Sequence, residues 1–148
     1  TLRSALNQLV LKRTQIIKGA LSDRELLFSA EATANFGNTP AANAMILLFQ
    51  KRAGIRAEQL AELANEYYDE FKTLGGTKGK LFKGKAYKSF RQFQNEFKNK
   101  DDVIGVGMIN EIGSLPQLSA YIKLRGGRNE LSAAEADALL ARNAILQG

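Results

Sequence analysis

The dipeptide Thr39-Pro40 opens the stretch that most restricts how this chain can fold. Threonine is a good helix N-cap, and proline suits the first helical position, where its missing N–H leaves no bond unmade. From Ala41 the pattern stays helical for more than 30 residues. Met45, Leu48, Ile55, Leu60, Leu63, Ala64, Tyr67, Phe71 and Leu74 supply one apolar stripe, and Gly75-Gly76 ends it. Gly54 interrupts the stripe at a cost of about 1 kcal/mol relative to alanine. Residues 40–74 therefore predict a single long helix. A helix of that length needs packing partners, either shorter helices of the same chain or neighbouring subunits. Leu47, Leu48 and Phe49 in succession place apolar groups on more than one side, which predicts self-association.

The rest of the chain reads as shorter helices. Leu2, Leu6, Leu9, Val10, Ile16 and Ile17 recur at spacings of three and four, predicting a helix over residues 2–18 that stops at Gly19. Ser22 and Glu25 form a capping-box pattern, and the helix they start should run out between Asn35 and Gly37. Glycine and lysine dominate residues 77–88, predicting a mobile loop. Ser89 can then cap a helix with Phe90, Phe93 and Phe97 on one face. Residues 101–114 are the only strand-like stretch, through Val103, Ile104, Val106, Met108, Ile109 and Ile112. Their three glycines leave a buried loop or a short helix equally open. Leu115-Pro116 restarts a helix that ends at Gly126-Gly127, and a second capping box, Ser132 with Glu135, begins the last one. The count of 20 Ala and 20 Leu against 3 Val and 9 Ile favours helix over sheet. The reading is all-α, organised on the long helix, with little or no sheet. It takes residues 1–148 as one helical domain or a fragment of a longer chain. Within it stand a helical core over 1–75, a basic Gly/Lys loop over 76–88 and short helices over 89–148. A chain that begins at Thr1 is compatible with a processed product.

The absence of cysteine and histidine excludes disulfide scaffolds, thiolate nucleophiles, Cys/His zinc sites and imidazole-based triads. No cofactor and no metal site are expected. No apolar run reaches the roughly 18 residues of a single-span membrane helix, and no secretory signal opens the chain. What the sequence offers instead is concentrated charge. The net charge is +6, yet residues 72–100 hold nine cations and one anion, Glu96, a local +8 that leaves the remainder at −2. Phosphates attract such a patch without sequence readout, and the contact weakens steeply with salt. The candidate nucleic-acid-binding residues are Lys78, Lys80, Lys83, Lys85, Lys88 and Arg91. Phe82, Tyr87 and Phe90 lie among them and could stack on exposed bases. The competing reading makes the lysines a solvated loop and the aromatics core; the helical spacing of Phe90, Phe93 and Phe97 favours core for those three.

Catalytic candidates are few. Glu70-Phe71-Lys72 and Glu96-Phe97-Lys98 have the carboxylate–lysine spacing that some metal-dependent nucleases use to hold a divalent ion and activate water. That spacing works on a strand, where alternate residues share a face; in a helix, i and i+2 point apart, and both triplets fall in helical patterns. Glu111 stands alone in an apolar run and could be a general acid if enclosed, although a surface carboxylate is the simpler reading. Gly105-Val106-Gly107 lacks the third glycine of a dinucleotide loop.

Three segments resemble part of the internal virion proteins of tailed bacteriophages, also called ejection or DNA-transfer proteins. They are Lys18-Gly-Ala-Leu-Ser-Asp-Arg-Glu25, Asn38-Thr-Pro-Ala-Ala-Asn43, and Gly54 through Tyr67-Tyr68-Asp69-Glu70. The resemblance covers residues 18–71, about a third of the chain, and rests on caps and turns. It implies a helical protein that assembles in the virion and helps conduct DNA into the host; no catalytic residue carries over. The expected function is thus a non-enzymatic virion component that forms homo-oligomers or joins other virion proteins and touches DNA non-specifically. Outside a virion it would be cytoplasmic. The alternatives are a metal-dependent nuclease or effector domain, and a monomeric helical nucleic-acid-binding module.

Overall fold

Five hydroxyls start five helices, each accepting a hydrogen bond from the backbone N–H three residues on. In this computed structural model, which describes residues 18–99, 103–126 and 131–148, they are Ser22, Thr39, Ser89, Ser114 and Ser132. Each such cap stabilises its helix by about 1 kcal/mol. The helices are α1 (Asp23–Asn35), α2 (Pro40–Phe71), α3 (Phe90–Lys98), α4 (Val106–Ile109), α5 (Leu115–Arg125) and α6 (Ala133–Gln147), preceded by a 3-10 turn at Lys18–Ala20. The described residues hold no strand, and the fold is all-α. Apart from Lys18, the helix expected over residues 2–18 lies outside the described residues.

Helix α2 has 32 residues, about 48 Å at 1.5 Å per residue. It runs straight through Gly54 and stops at Phe71, three residues earlier than the glycine pair predicts. Lys72 adopts a left-handed conformation (φ 57°), donates its N–H to the Tyr68 carbonyl, and turns the chain back. The Tyr67 hydroxyl donates to the Gly75 carbonyl and secures that reversal.

Two clusters of buried side chains divide α2 between them. The first draws Met45, Ile46, Phe49 and Ala53 of α2 together with Leu21, Phe28 and Ala32 from before the helix and Ile104, Met108, Tyr121 and Leu139 from after it. The main core thus joins both sides of the basic loop. The second is aromatic: Tyr67, Phe82, Phe90 and Phe93, with Leu60 and Ala20. Tyr67 meets Phe82 and Phe90 at centroid distances of 5.0 and 5.3 Å and steep angles, the edge-to-face arrangement that ring quadrupoles favour. The buried stripe of α2 therefore runs Met45, Phe49, Ala53, Arg56, Leu60, Tyr67. Ile55 and Leu74, which the sequence pattern placed on it, are exposed.

Arg56 sits where the two clusters meet. It is buried and paired with Glu25, which is wholly buried, at 3.0 and 3.1 Å. Glu25 also closes the α1 capping box and accepts the Val103 N–H. The second capping-box carboxylate, Glu135, repeats the device. It receives Arg125 from α5 and Arg24 from α1, the latter at 2.7 Å. Burial alone would raise the Glu135 pKa; the hydrogen bonds from Arg125, Ser132 and Arg24 outweigh it and bring it down to about 2.

Residues 103–114 resolve the open alternatives in favour of a short helix flanked by turns, with Val103, Ile104, Met108, Ile109 and Ile112 buried. Gly107 passes against Arg52: a Cβ there would lie 2.6 Å from its Nη2. Arg52 reaches over this point to the Val103 carbonyl (2.8 Å) and the Glu111 carboxylate (2.8 Å).

Candidate nucleic-acid interface

The loop expected to be mobile is built from two consecutive tight turns of the same sequence, Lys-Gly-Lys. In Thr77-Lys78-Gly79-Lys80 and in Phe82-Lys83-Gly84-Lys85, both central residues have positive φ (53° and 82°; 51° and 87°), as a type I′ turn requires. Each turn closes through an N–H to carbonyl bond, Lys80 to Thr77 at 3.1 Å and Lys85 to Phe82 at 3.3 Å. Phe82 and Lys85 also pair in the opposite sense at 2.8 Å, making a minimal hairpin. Asn-Gly is the usual sequence for such a turn; a lysine held left-handed costs roughly 1–2 kcal/mol.

Buried groups hold the turns in place. Phe82 points into the aromatic cluster, the buried Thr77 hydroxyl accepts the Tyr87 N–H (3.1 Å), and the Thr77 N–H donates to the Tyr87 carbonyl (3.0 Å). Phe82 turns inward while Leu81 beside it stays exposed, and the charged side chains face water: Lys78, Lys80, Lys83, Lys85, Lys88 and Arg91 are all exposed. Lys100 lies outside the described residues. Two of the cations are ion-paired, Lys83 with Glu66 of α2 at 3.1 Å and Lys85 with Glu96 of α3 at 2.5 Å. The Glu96 carboxylate, hydrogen-bonded to the Lys85 ammonium, raises the pKa of that lysine. Both pairs are about half-exposed, so solvent and salt screen them and they add little to stability. Each carboxylate offsets the charge of its lysine, but a pair this exposed can be exchanged for a phosphate at little cost.

The aromatic expectation needs correction. Phe82 and Phe90 are 3% and 6% exposed and pack against Tyr67, so neither can stack on a base without unfolding the cluster. Tyr87 remains half-buried at the surface, and Phe97 packs against the aromatic cluster as the sequence pattern expects while its open side lines a groove with Tyr87. That groove, about 1370 Å³, lies between the hairpin and α3, with Leu63 of α2 in its floor. Lys83, Lys85, Lys88 and Arg91 line it; Glu96 is the one carboxylate among its lining residues.

The catalytic candidates do not converge. Glu70 is exposed near the end of α2, while Lys72 beyond it has left the helix. Glu96 is bound to Lys85 rather than aligned with Lys98. Glu111 is 48% exposed at its side chain and paired with Arg52, so it lacks the apolar enclosure that a proton-holding acid needs. Among the described residues no three His, Cys, Asp or Glu side chains come together as a metal could require, and no helix is long and apolar enough to cross a membrane.

The repeated Lys-Gly-Lys triplet, five residues apart, was the available signal for the tandem turns. No local signal announced that Arg24, Arg56 and Arg125 would meet the two capping-box glutamates, because those partners are distant in sequence. No family model, curated protein or solved structure matches the chain.

Proposed function

We propose that this chain is a non-enzymatic, self-assembling component of a tailed-phage virion that contacts DNA through the tandem Lys-Gly-Lys turns and the start of α3. The observation that carries the DNA part is the charge display. Six exposed cations, Lys78 through Arg91, stand on a folded platform, and the two carboxylates they engage are themselves screened by solvent. Contacts of this kind act by counterion release and do not read bases. The virion setting rests on the resemblance over residues 18–71. Assembly is supported by large apolar side chains left exposed among the described residues: Leu47 on α2, and Leu140 and Ile145 on α6, the last two exposed at 70% and 65%.

Replacing Lys78, Lys80, Lys83 and Lys85 with Gln tests the contact. DNA affinity should fall, and the log–log salt slope should flatten by up to roughly 3 to 4 units if all four touch phosphate. Helix content should stay unchanged, since all four lie outside helices. Absence of DNA retention by the native chain at about 50 mM salt, the favourable end of that scale, would sink the contact. A strictly monomeric species at high micromolar concentration would remove the assembly part and leave a monomeric helical module.

A further inference from the structure

We propose that the groove between the hairpin and α3 seats a single strand of nucleic acid, with a base stacked on Tyr87. The inference rests on the anion-contacting function proposed above and narrows its ligand.

Three properties of the groove set the occupant. The first is charge: four cations line it against Glu96, which Lys85 already engages. An anion is wanted. The second is the floor, where Leu63, Tyr87 and Phe97, half-buried over the cluster that holds Phe93, present aliphatic and aromatic surface beside those cations. Free phosphate satisfies only the rim, and a duplex keeps its bases stacked on each other, with no ring face to offer. A single strand supplies phosphates and unstacked rings at alternating positions, which matches a cationic rim over an aromatic floor. The third is size. At about 1370 Å³ the groove exceeds the roughly 300–1,000 Å³ of small-molecule sites and is open to solvent, which fits a length of chain.

Tyr87 is the residue built for the stacking contact. Its backbone is clamped on both sides to Thr77, and its ring meets Phe93 nearly perpendicularly (84°, 5.4 Å). The Lys85 ammonium lies 5.5 Å from the ring centroid. Lys85 is exposed and held there by a screened ion pair, so a base can take its place over the ring while the ammonium moves to the adjoining phosphate. An acidic polypeptide would satisfy the rim but brings no matching series of flat rings.

The test is binding anisotropy of the full chain at about 50 mM salt. The probes are a labelled thymidine oligonucleotide of about 12 nucleotides, within the site sizes of such grooves, the corresponding duplex, and polyglutamate. The single strand should bind about ten-fold tighter than the duplex. Tyr87→Leu should remove that margin, Tyr87→Phe should keep it, and duplex affinity should hold across all three proteins. A second readout needs no loss of packing. The chain has no Trp, so tyrosine emission is visible; single-strand binding should quench it in the native protein and not in Tyr87→Phe. Equal affinity for single strand and duplex, or no effect of Tyr87→Leu with no quench, overturns the groove assignment and leaves the lysine-based contact standing. Polyglutamate competing as well as the oligonucleotide overturns it in favour of an acidic partner. Failure of both nucleic acids to bind overturns the contact and the groove together.

Discussion

The two halves of α2 use ion pairs in opposite ways. Around the first half and the midpoint, where Arg56 stands, Glu25–Arg56 and Glu135–Arg125 are almost completely buried, and each carboxylate also closes a helix cap. Around the second half, Lys83–Glu66 and Lys85–Glu96 are about half-exposed and rest on an aromatic cluster that needs no charge to hold it. A buried charge cannot lose its partner cheaply, so the first pair type fixes how the helices meet. An exposed pair is nearly free to exchange its partner for a phosphate. The same residue chemistry thus works as a fastener in one region and as a display in the other, and burial makes the difference.

The comparison breaks most visibly at Arg56. Replacing it with Ala removes the guanidinium that bonds both oxygens of the wholly buried Glu25, and should cost about 3–5 kcal/mol in denaturant unfolding. Lys83→Gln, measured alongside, should cost under about 1 kcal/mol. Near-equal losses would erase the distinction between the two regions. Replacing Glu25 and Arg56 together with apolar residues should cost less than their separate losses predict, although the α1 capping box goes with them.

Acid should reach the buried Glu135 pair and salt the exposed ones. Glu135 titrates near 2 in the folded chain, below its ordinary value of 4.5, so the folded state binds that proton more weakly than the unfolded state. Its contribution is therefore complete above about pH 4.5 and is lost as pH falls from there towards 2, on the order of 3 kcal/mol in all. Glu135→Gln should flatten the stability profile over that window. A wild-type profile that stays flat from pH 5 to about 2 would show that Arg125 and Arg24 do not hold the carboxylate as described.

The smallest effect separates shape from charge within the display. Lys83→Asn places a residue that tolerates left-handed backbone at φ 51°, and should leave stability unchanged or raise it by up to about 1 kcal/mol. DNA affinity should nonetheless fall, because a cation is lost from the groove. If stability drops instead, Lys83 is contributing through its ion pair with Glu66 more than its backbone costs.

The helix starts were legible in the sequence because each is decided within four residues. A hydroxyl that can accept the N–H three positions on needs no knowledge of the rest of the chain, and Ser22, Thr39, Ser89 and Ser132 all act as read; Ser114 caps the helix that only Leu115-Pro116 had marked. The all-α class follows from the same local chemistry together with the Ala and Leu excess. The exposed lysines were legible as a cluster for a related reason: charge is costly to bury, so a dense group of cations has few places to go but the surface. Tertiary structure alone decided which side of α2 is buried. Its stripe carries Phe49 and Arg56 rather than Ile55, because a helix offers several apolar faces and only contact with α1, α5 and the 103–112 segment selects one. It also decided that Phe82 is core while Tyr87 is surface, although both interrupt the same lysine-rich loop. Two left-handed lysines set the direction in which that loop folds back on Tyr67, and pairing between residues so far apart in sequence leaves no periodic trace.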